Sequence, residues 1–403
     1  MIASLRAALA RGTVTLALLS TVLACAEREP ATGLAPGEVA LKKSPSDVDE
    51  GKEIFRFDTF GNETFWSDTA GMHVKINALR PVDALAAGLK VDVDALPQAL
   101  IDAIADNPGL LNDPASTVAL IGLNAVVGVK GQVENGQLVR VGFTCALCHS
   151  TVDNSFTGGV GHRLDGWPNR DLNIGAIVAM SDVIPEFPYT TWGPGMYDPR
   201  FNIDGLNFPV VIPPAFGLRG VEKEIYTGDG PVSYWNAYVA ITQMHGHGHF
   251  VDPRINVDVN NTPPDLVASK LAALRDYQLS LETPVAKRGT YVVAAAARGR
   301  NVFRQAGCAE CHSGKLYTDI NEGVLHDPLE VGQDAHYADR SATKQYRTTP
   351  LRGLWNPPQL DGPYFHDGSA KTLMAVVEHY IDRFNLSLTP RQKADLVEFL
   401  KTL

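Results

Sequence analysis

Two five-residue stretches carry the chemistry open to this chain: Cys145-Ala146-Leu147-Cys148-His149 and Cys308-Ala309-Glu310-Cys311-His312. A cysteine pair separated by two residues on a tight turn can reach two vinyl groups on one edge of a porphyrin. The next residue then projects under the ring, where an imidazole can ligate iron. The rival readings are a zinc site, a dithiol redox pair and two structural disulfides. The histidine directly after both pairs favours covalent c-type haem. Cys145, Cys148, Cys308 and Cys311 are then the thioether residues, and His149 and His312 the iron ligands. No cysteine remains for another role except Cys25.

Cys25 belongs to an N-terminal segment of different character. Arg6 and Arg11 precede an apolar run from Val14 to Leu23, broken by Ser20 and Thr21. The run is too short for a transmembrane helix and suits the apolar part of a signal peptide. Its end, Val22-Leu23-Ala24-Cys25, fits a bacterial lipobox with lipid on Cys25; cleavage after Ala26 is the alternative. Residues 1–25 are therefore read as an export signal. The mature chain is expected in the periplasm or cell envelope, with membrane contact through a lipid at Cys25. Export agrees with haem attachment, which takes place outside the cytoplasm. The formal charge of −10, from 35 Lys and Arg against 45 Asp and Glu, argues against nucleic acid as a partner. An acidic surface can steer a basic redox partner.

The elements that must position these motifs divide as follows. Residues 26–108 form an N-terminal segment, with a Pro- and Gly-rich tether from Pro30 to Asp49 and a helix from Asp92 to Ala105. Residues 109–283 hold the first haem. There, β-rich runs flank Glu134-Asn135-Gly136, which predicts a hairpin just before Cys145. From His149 to Gly230 the composition predicts long loops wrapped around a cofactor. A helix follows over Leu266–Leu281. Residues 284–403 hold the second haem, with a helix over Ala294–Arg304 leading into Cys308. A final helix is capped by Thr389, with Pro390 at its first position. The expected fold is mostly α: two cytochrome c-like haem domains with long loops and a small β-hairpin.

The densest run of ligand-type residues is Met244-His245-Gly246-His247-Gly248-His249. Three histidines alternating with glycine could line a haem pocket, or form a polar loop that binds nothing. Met180 and Met196 are further ligand candidates. Trp235 could relay electrons between haems or simply pack.

The segments Thr348–Gly353 (TTPLRG), Gly362–Ser369 (GPYFHDGS), Lys371–Leu373 and Glu378–Tyr380 resemble the C-terminal domain of bacterial di-haem cytochrome c peroxidases. The resemblance is specific over about 294–403. Around the first haem, Phe55–Gly61 and Asn261–Pro264 look more like the rubber-oxygenase-like branch, whose members handle dioxygen. The resemblance implies peroxide reduction at one haem and a small redox protein or quinol-linked electron donor. It also implies calcium between the domains, whose ligands no motif here identifies. In peroxidases a methionine stands at the ninth position of the helix that starts with Thr372. Here Tyr380 takes that place, as a tyrosine does in the branch that matures methylamine dehydrogenase, so Tyr380 is the candidate distal ligand and His379 the alternative. His162 sits where peroxidases carry a distal histidine, and Glu222 and Glu224 are acids near the active-site-like segment Pro209–Gly217. Three functions stay open: electron transfer with reduction of hydrogen peroxide, pure electron transfer, and an oxygenase using dioxygen on an apolar substrate.

Overall fold

The predicted hairpin forms because two consecutive residues accept left-handed backbone. In the computed structural model, which describes residues 45–261, 263–355 and 362–403, Asn135 and Gly136 have φ of 50° and 75°. Those angles make the turn that matches strand twist. It joins β1 (Val129–Glu134) to β2 (Gln137–Phe143), antiparallel, with a register shift between Gln132 and Val133. Val141 and Phe143 are buried on the inward side, so β2 delivers the chain directly into Thr144 and Cys145 with its register fixed.

Elsewhere the chain is mostly helical, and the sheets among the described residues are two-stranded, four of them antiparallel. Two helix crossings matter for the motifs. The first is between α1 (Pro45–Phe57) and α2 (Leu271–Ser280). A Cβ on Gly51 would lie 2.0 Å from the Ala273 carbonyl oxygen, so the helices meet backbone to backbone there. The second is between α3 (Val293–Gln305) and α5 (Pro390–Leu400), on either side of α4 (Leu373–Phe384) in chain order. A Cβ on Gly299 would lie 1.9 Å from the Asp395 carbonyl oxygen. Around that crossing Val302, Phe303, Leu373, Val377, Leu396 and Phe399 form one apolar core, with Cys308 packed against it.

Several boundaries differ from expectation, each for a local reason. The helix expected from Asp92 starts at Gln98, because Pro97 holds Leu96 extended and caps the segment at ψ 138°. The helix expected from Leu266 starts as a 3-10 turn at Ala268. The Asp265 carboxylate accepts from the Val267 and Ala268 amides, and the Leu266 amide donates to His247. The Pro30–Asp49 tether is helical from Pro45 onward; its remainder, the apolar run Val14–Leu23 and Cys25 lie outside the described residues. Thr389 closes a full capping box with Gln392, as its sequence predicts. Among the described residues no helix is long and apolar enough to cross a membrane.

The loops between residues 195 and 230 are tied to the 335–345 segment by buried ions. Arg340 forks onto both Asp198 oxygens at 3.0 Å and onto Asp204 at 2.7 Å. Arg200 donates to Asp229 at 2.8 Å and to the Arg340 carbonyl. The Asp198 and Asp229 side chains are fully buried, so removing one partner strands a charge away from water. Arg340→Ala is expected to cost about 3–5 kcal/mol in urea unfolding of the purified protein. Thr389→Ala, which loses one exposed cap, is expected to cost about 1 kcal/mol. Equal costs for the two would contradict this account.

Candidate haem sites

The first motif is a single helical turn, Ala146–His149, pinned from several directions. A Cβ on Gly128 would sit 2.1 Å from the Leu147 amide, so only glycine lets the hairpin approach this turn. The Gly166 amide donates to His149 O at 2.8 Å, and the Asn169 amide donates to Cys148 O at 2.9 Å. The Asn169 side chain donates to Gly88 O at 2.9 Å. The ring of His149 is then fixed by its own contact, with Nδ1 3.1 Å from the Pro213 carbonyl oxygen. A carbonyl can only accept, so Nδ1 carries the proton and Nε2 keeps a free lone pair. Burial drives the His149 pKa down to about 4, so the imidazole is neutral at pH 7.

The second motif repeats the device. Cys308–Cys311 forms one turn after Gly307, whose φ of 82° redirects the chain at the end of α3. His312 Nδ1 donates to Tyr317 O at 2.9 Å, and burial again lowers its pKa. The cysteines of both motifs are unpaired. Burial pushes the Cys145 and Cys148 thiols up to about 12. A redox-active dithiol needs the opposite, an environment that stabilises thiolates. Buried neutral thiols, each pair beside a neutral imidazole, fit thioether attachment and iron ligation.

Both motifs open into one cavity of about 940 Å³, within the compact unit spanning Leu41–Leu403. That is near the upper end of the roughly 300–1,000 Å³ usual for small-molecule sites. Its walls are largely apolar, with Phe65, Ile177, Trp192, Val377 and Leu396 among them.

The cavity sorts the sequence candidates. Of the three alternating histidines, His245 lines it. This residue has φ of 61° and its ring stacks on Phe65 at 3.6 Å. Burial lowers its pKa to about 4. Among the described residues its ring nitrogens have no hydrogen-bond partner. His247 instead faces Thr64 at 3.3 Å, and His249 is exposed against Asp258 at 2.7 Å. His162 is also exposed, its Nδ1 2.9 Å from Asp94, and is not among the cavity-lining residues. Glu222 is exposed, whereas Glu224 is buried in the cavity wall with Oε2 3.1 Å from Arg347 and Oε1 without a partner. Trp235 lines the cavity with a buried, unpartnered Nε1, beside Tyr234 and Tyr238.

At the second motif Tyr380 lines the cavity. Its phenol is pushed up to about 12 by burial, with smaller contributions from Cys311 and Cys308. The neighbouring His379 points elsewhere: Nε2 donates to Val331 O at 2.9 Å and lies 3.3 Å from Gln333. The helical phase read from the sequence therefore separates these two residues as expected. Met180 is packed in the core beside the hairpin. Arg170 lines the cavity too, and no sequence signal pointed to it: it stands in a non-periodic Trp-Pro-Asn-Arg stretch, where an arginine ordinarily faces solvent. One group of metal-type side chains converges among the described residues, Cys311, Asp319 and His326. Calcium takes oxygen donors, so this group does not suit it.

No family model matches the chain. It is 38% identical over 127 residues to the methylamine utilization protein MauG of Methylorubrum extorquens, covering 27% of this chain and 34% of that protein. It is 27% identical over 176 residues to the gamma subunit of hydrazine synthase from Kuenenia stuttgartiensis, covering 33% and 49%. It is 30% identical over 116 residues to the cytochrome c551 peroxidase of Nitrosomonas europaea, covering 26% and 33%. The chain thus spans about a third to a half of the length of these relatives. Among solved structures, hydrazine synthase of Kuenenia stuttgartiensis matches with a TM-score of 0.34 at 21% identity, over 48% of this chain and 72% of that one. In its motifs and its relatives the chain is similar to bacterial di-haem cytochrome c peroxidases and MauG proteins.

Proposed function

We propose that this chain is an exported di-haem c-type cytochrome that passes electrons between its haems and reduces hydrogen peroxide at the first. The observation that supports this most is the shared cavity: both attachment motifs open into it, and a neutral histidine without a protein partner faces it beside the first. Bound haem supplies one-electron chemistry and an iron site for peroxide; the chain supplies attachment, orientation and proton handling.

Cys145 and Cys148 hold the first haem, and Cys308 and Cys311 the second. His149 and His312 present Nε2 to iron, kept in that tautomer by Pro213 and Tyr317. His245 lines the cavity unprotonated at neutral pH and would serve peroxide there as an acid–base group. The imidazole would accept a proton from one peroxide oxygen and return it to the other as the O–O bond breaks. The balance is one peroxide, two electrons and two protons giving two waters. The electrons come from a small redox protein or a quinol-linked donor, and a chain with formal charge −10 favours a basic one. Tyr380 and Trp235 line the same cavity, where Tyr380 would act as a ligand or near neighbour of the second haem and Trp235 would support electron transfer between the haems. Export with lipid on Cys25 places this chemistry at the cell envelope.

The apolar walls also favour a second reading, an oxygenase that uses dioxygen on an apolar substrate. A third is pure electron transfer, with His245 and Tyr380 each filling a sixth position. Electronic and spin-resonance spectra of the oxidised protein separate these. A high-spin haem is expected, together with peroxide turnover by a reduced cytochrome. Two low-spin haems in every redox state would sink both catalytic readings. A high-spin haem without peroxide turnover would favour the oxygenase.

Two further outcomes follow from named residues. Intact mass should show two haems on the wild-type protein and one on Cys145→Ala/Cys148→Ala. The rate of peroxide reduction should fall as pH drops through about 4, where His245 takes up a proton. His245→Gln should be roughly 100-fold slower or more and lose that acid limb. A His245→Gln enzyme with the wild-type pH profile would remove His245 from the mechanism.

A further inference from the structure

Arg170 is a buried cation whose partner the protein does not provide. Its Nε and Nη1 are buried and have no hydrogen-bond acceptor, and among the described residues it forms no ion pair. Other buried arginines differ. Arg163 reaches Asp92 at 3.0 Å, Arg200 reaches Asp229 at 2.8 Å, and Arg347 reaches Glu224 at 3.1 Å. Desolvation pulls the Arg170 pKa down, as it must where no carboxylate offsets the loss of water. Tyr226 and Tyr364 are the ionisable groups that act on it most. Burial pushes the Tyr226 phenol up to about 12, so it is neutral and supplies no countercharge.

Position says which anion is missing. Asn169, the preceding residue, is tied to the first motif by its amide to Cys148 O, and its side chain lies 3.5 Å from Leu147 O. Arg170 therefore enters the cavity at a distance from Cys148 and His149 set by backbone hydrogen bonds, not by a flexible loop. Its carbonyl is packed against Gly195, where a Cβ would approach to 2.7 Å. A guanidinium held this rigidly, with Nε–H and an Nη1–H buried and free, suits a carboxylate whose oxygens accept from it. Haem carries two carboxylates on the edge opposite its vinyl groups, and the thioethers fix which way that edge faces.

We infer that Arg170 binds a propionate carboxylate of the first haem and sets that haem's reduction potential. The inference rests on haem attachment at Cys145 and Cys148. It adds a residue that neither the attachment motif nor the iron ligands specify. A guanidinium beside the carboxylate offsets a negative charge that otherwise stabilises the ferric state. Removing it should make the haem harder to reduce.

The test is a redox titration of the full-length protein followed by electron spin resonance, which distinguishes the two irons. Intact mass first confirms two haems in every variant; a wild-type mass lacking them would refute haem attachment itself, not the Arg170 assignment alone. Arg170→Gln should lower the midpoint potential of the first haem and leave the second unchanged. Arg170→Lys, which keeps the charge but not the planar guanidinium, should fall between wild type and Arg170→Gln. An unchanged first-haem potential in Arg170→Gln overturns the assignment. If Arg170→Gln does not accumulate with both haems, Arg170→Lys decides alone: a lowered first-haem potential supports the pairing and an unshifted one overturns it. Titrating wild-type protein with phosphate covers a free anion. The potential should not respond, because a covalently tethered carboxylate cannot be displaced, and a response would assign Arg170 to a soluble anion instead.

Discussion

Two backbone carbonyls, those of Pro213 and Tyr317, hold the Nδ1 protons of His149 and His312, and much of the fold serves that arrangement. An imidazole on a one-turn helix has rotational freedom that thioether attachment alone does not remove. The Nδ1–H···O=C bond removes it, fixes the tautomer and leaves Nε2 as the sole donor to metal. The acceptor is neutral in both cases. A carboxylate there would push each imidazole toward imidazolate and favour ferric iron more strongly. With a carbonyl, the tuning falls to groups farther out, which makes charges on the cavity wall matter.

Those charges are expensive, and the fold carries them unevenly. Arg200, Asp229, Arg340 and Asp198 form two buried ion pairs that join two loop regions. Glu224, Arg347 and Arg170 line the cavity with some of their polar atoms unsatisfied. A buried polar atom without a partner costs about 1–3 kcal/mol, and more when charged. Three such residues on the wall of one cavity describe a chamber able to receive a polar-edged group. The same chamber is apolar over most of its surface, which suits a porphyrin face.

What could be read in the sequence was whatever is settled by neighbours in the chain. The Asn135-Gly136 turn, the Thr389 cap and the spacing of each cysteine pair with its histidine are local rules, and the structure obeys the first two directly. Helical phase, also local, separated Tyr380 from His379 correctly in space. Long-range closure could not be read. Nothing within Met244–His249 distinguishes one histidine from the next. His245 is singled out by Phe65, 180 positions away in sequence, and by a positive φ that turns its ring inward. Glu224 and Glu222 differ by two residues and by burial, which depends on Arg347 arriving from the far end of the chain. Pro97, though visible in the sequence, was outweighed by the apolar spacing around it.

The two sites share an attachment chemistry but not an environment, and the difference bears on which haem can turn over substrate. At the second, the polar residue facing the cavity is Tyr380, on α4, whose Leu373 and Val377 are locked into the apolar core that also packs Cys308. A residue on such a helix has little room to move, so whatever Tyr380 does to an iron it does permanently. At the first, the facing residue is His245, at the end of a wide helical turn over Val239–Gln243, between glycine-flanked positions and in left-handed backbone. Non-glycine residues there carry backbone strain of order 1 kcal/mol or more, which surrounding contacts must hold in place. A ligand on a rigid helix favours a fixed coordination state. The histidine in left-handed backbone is held by its own packing, here the stack on Phe65. On the proposed function, that asymmetry, more than the identity of either side chain, is the reason to assign oxidant binding to the first haem and electron storage to the second.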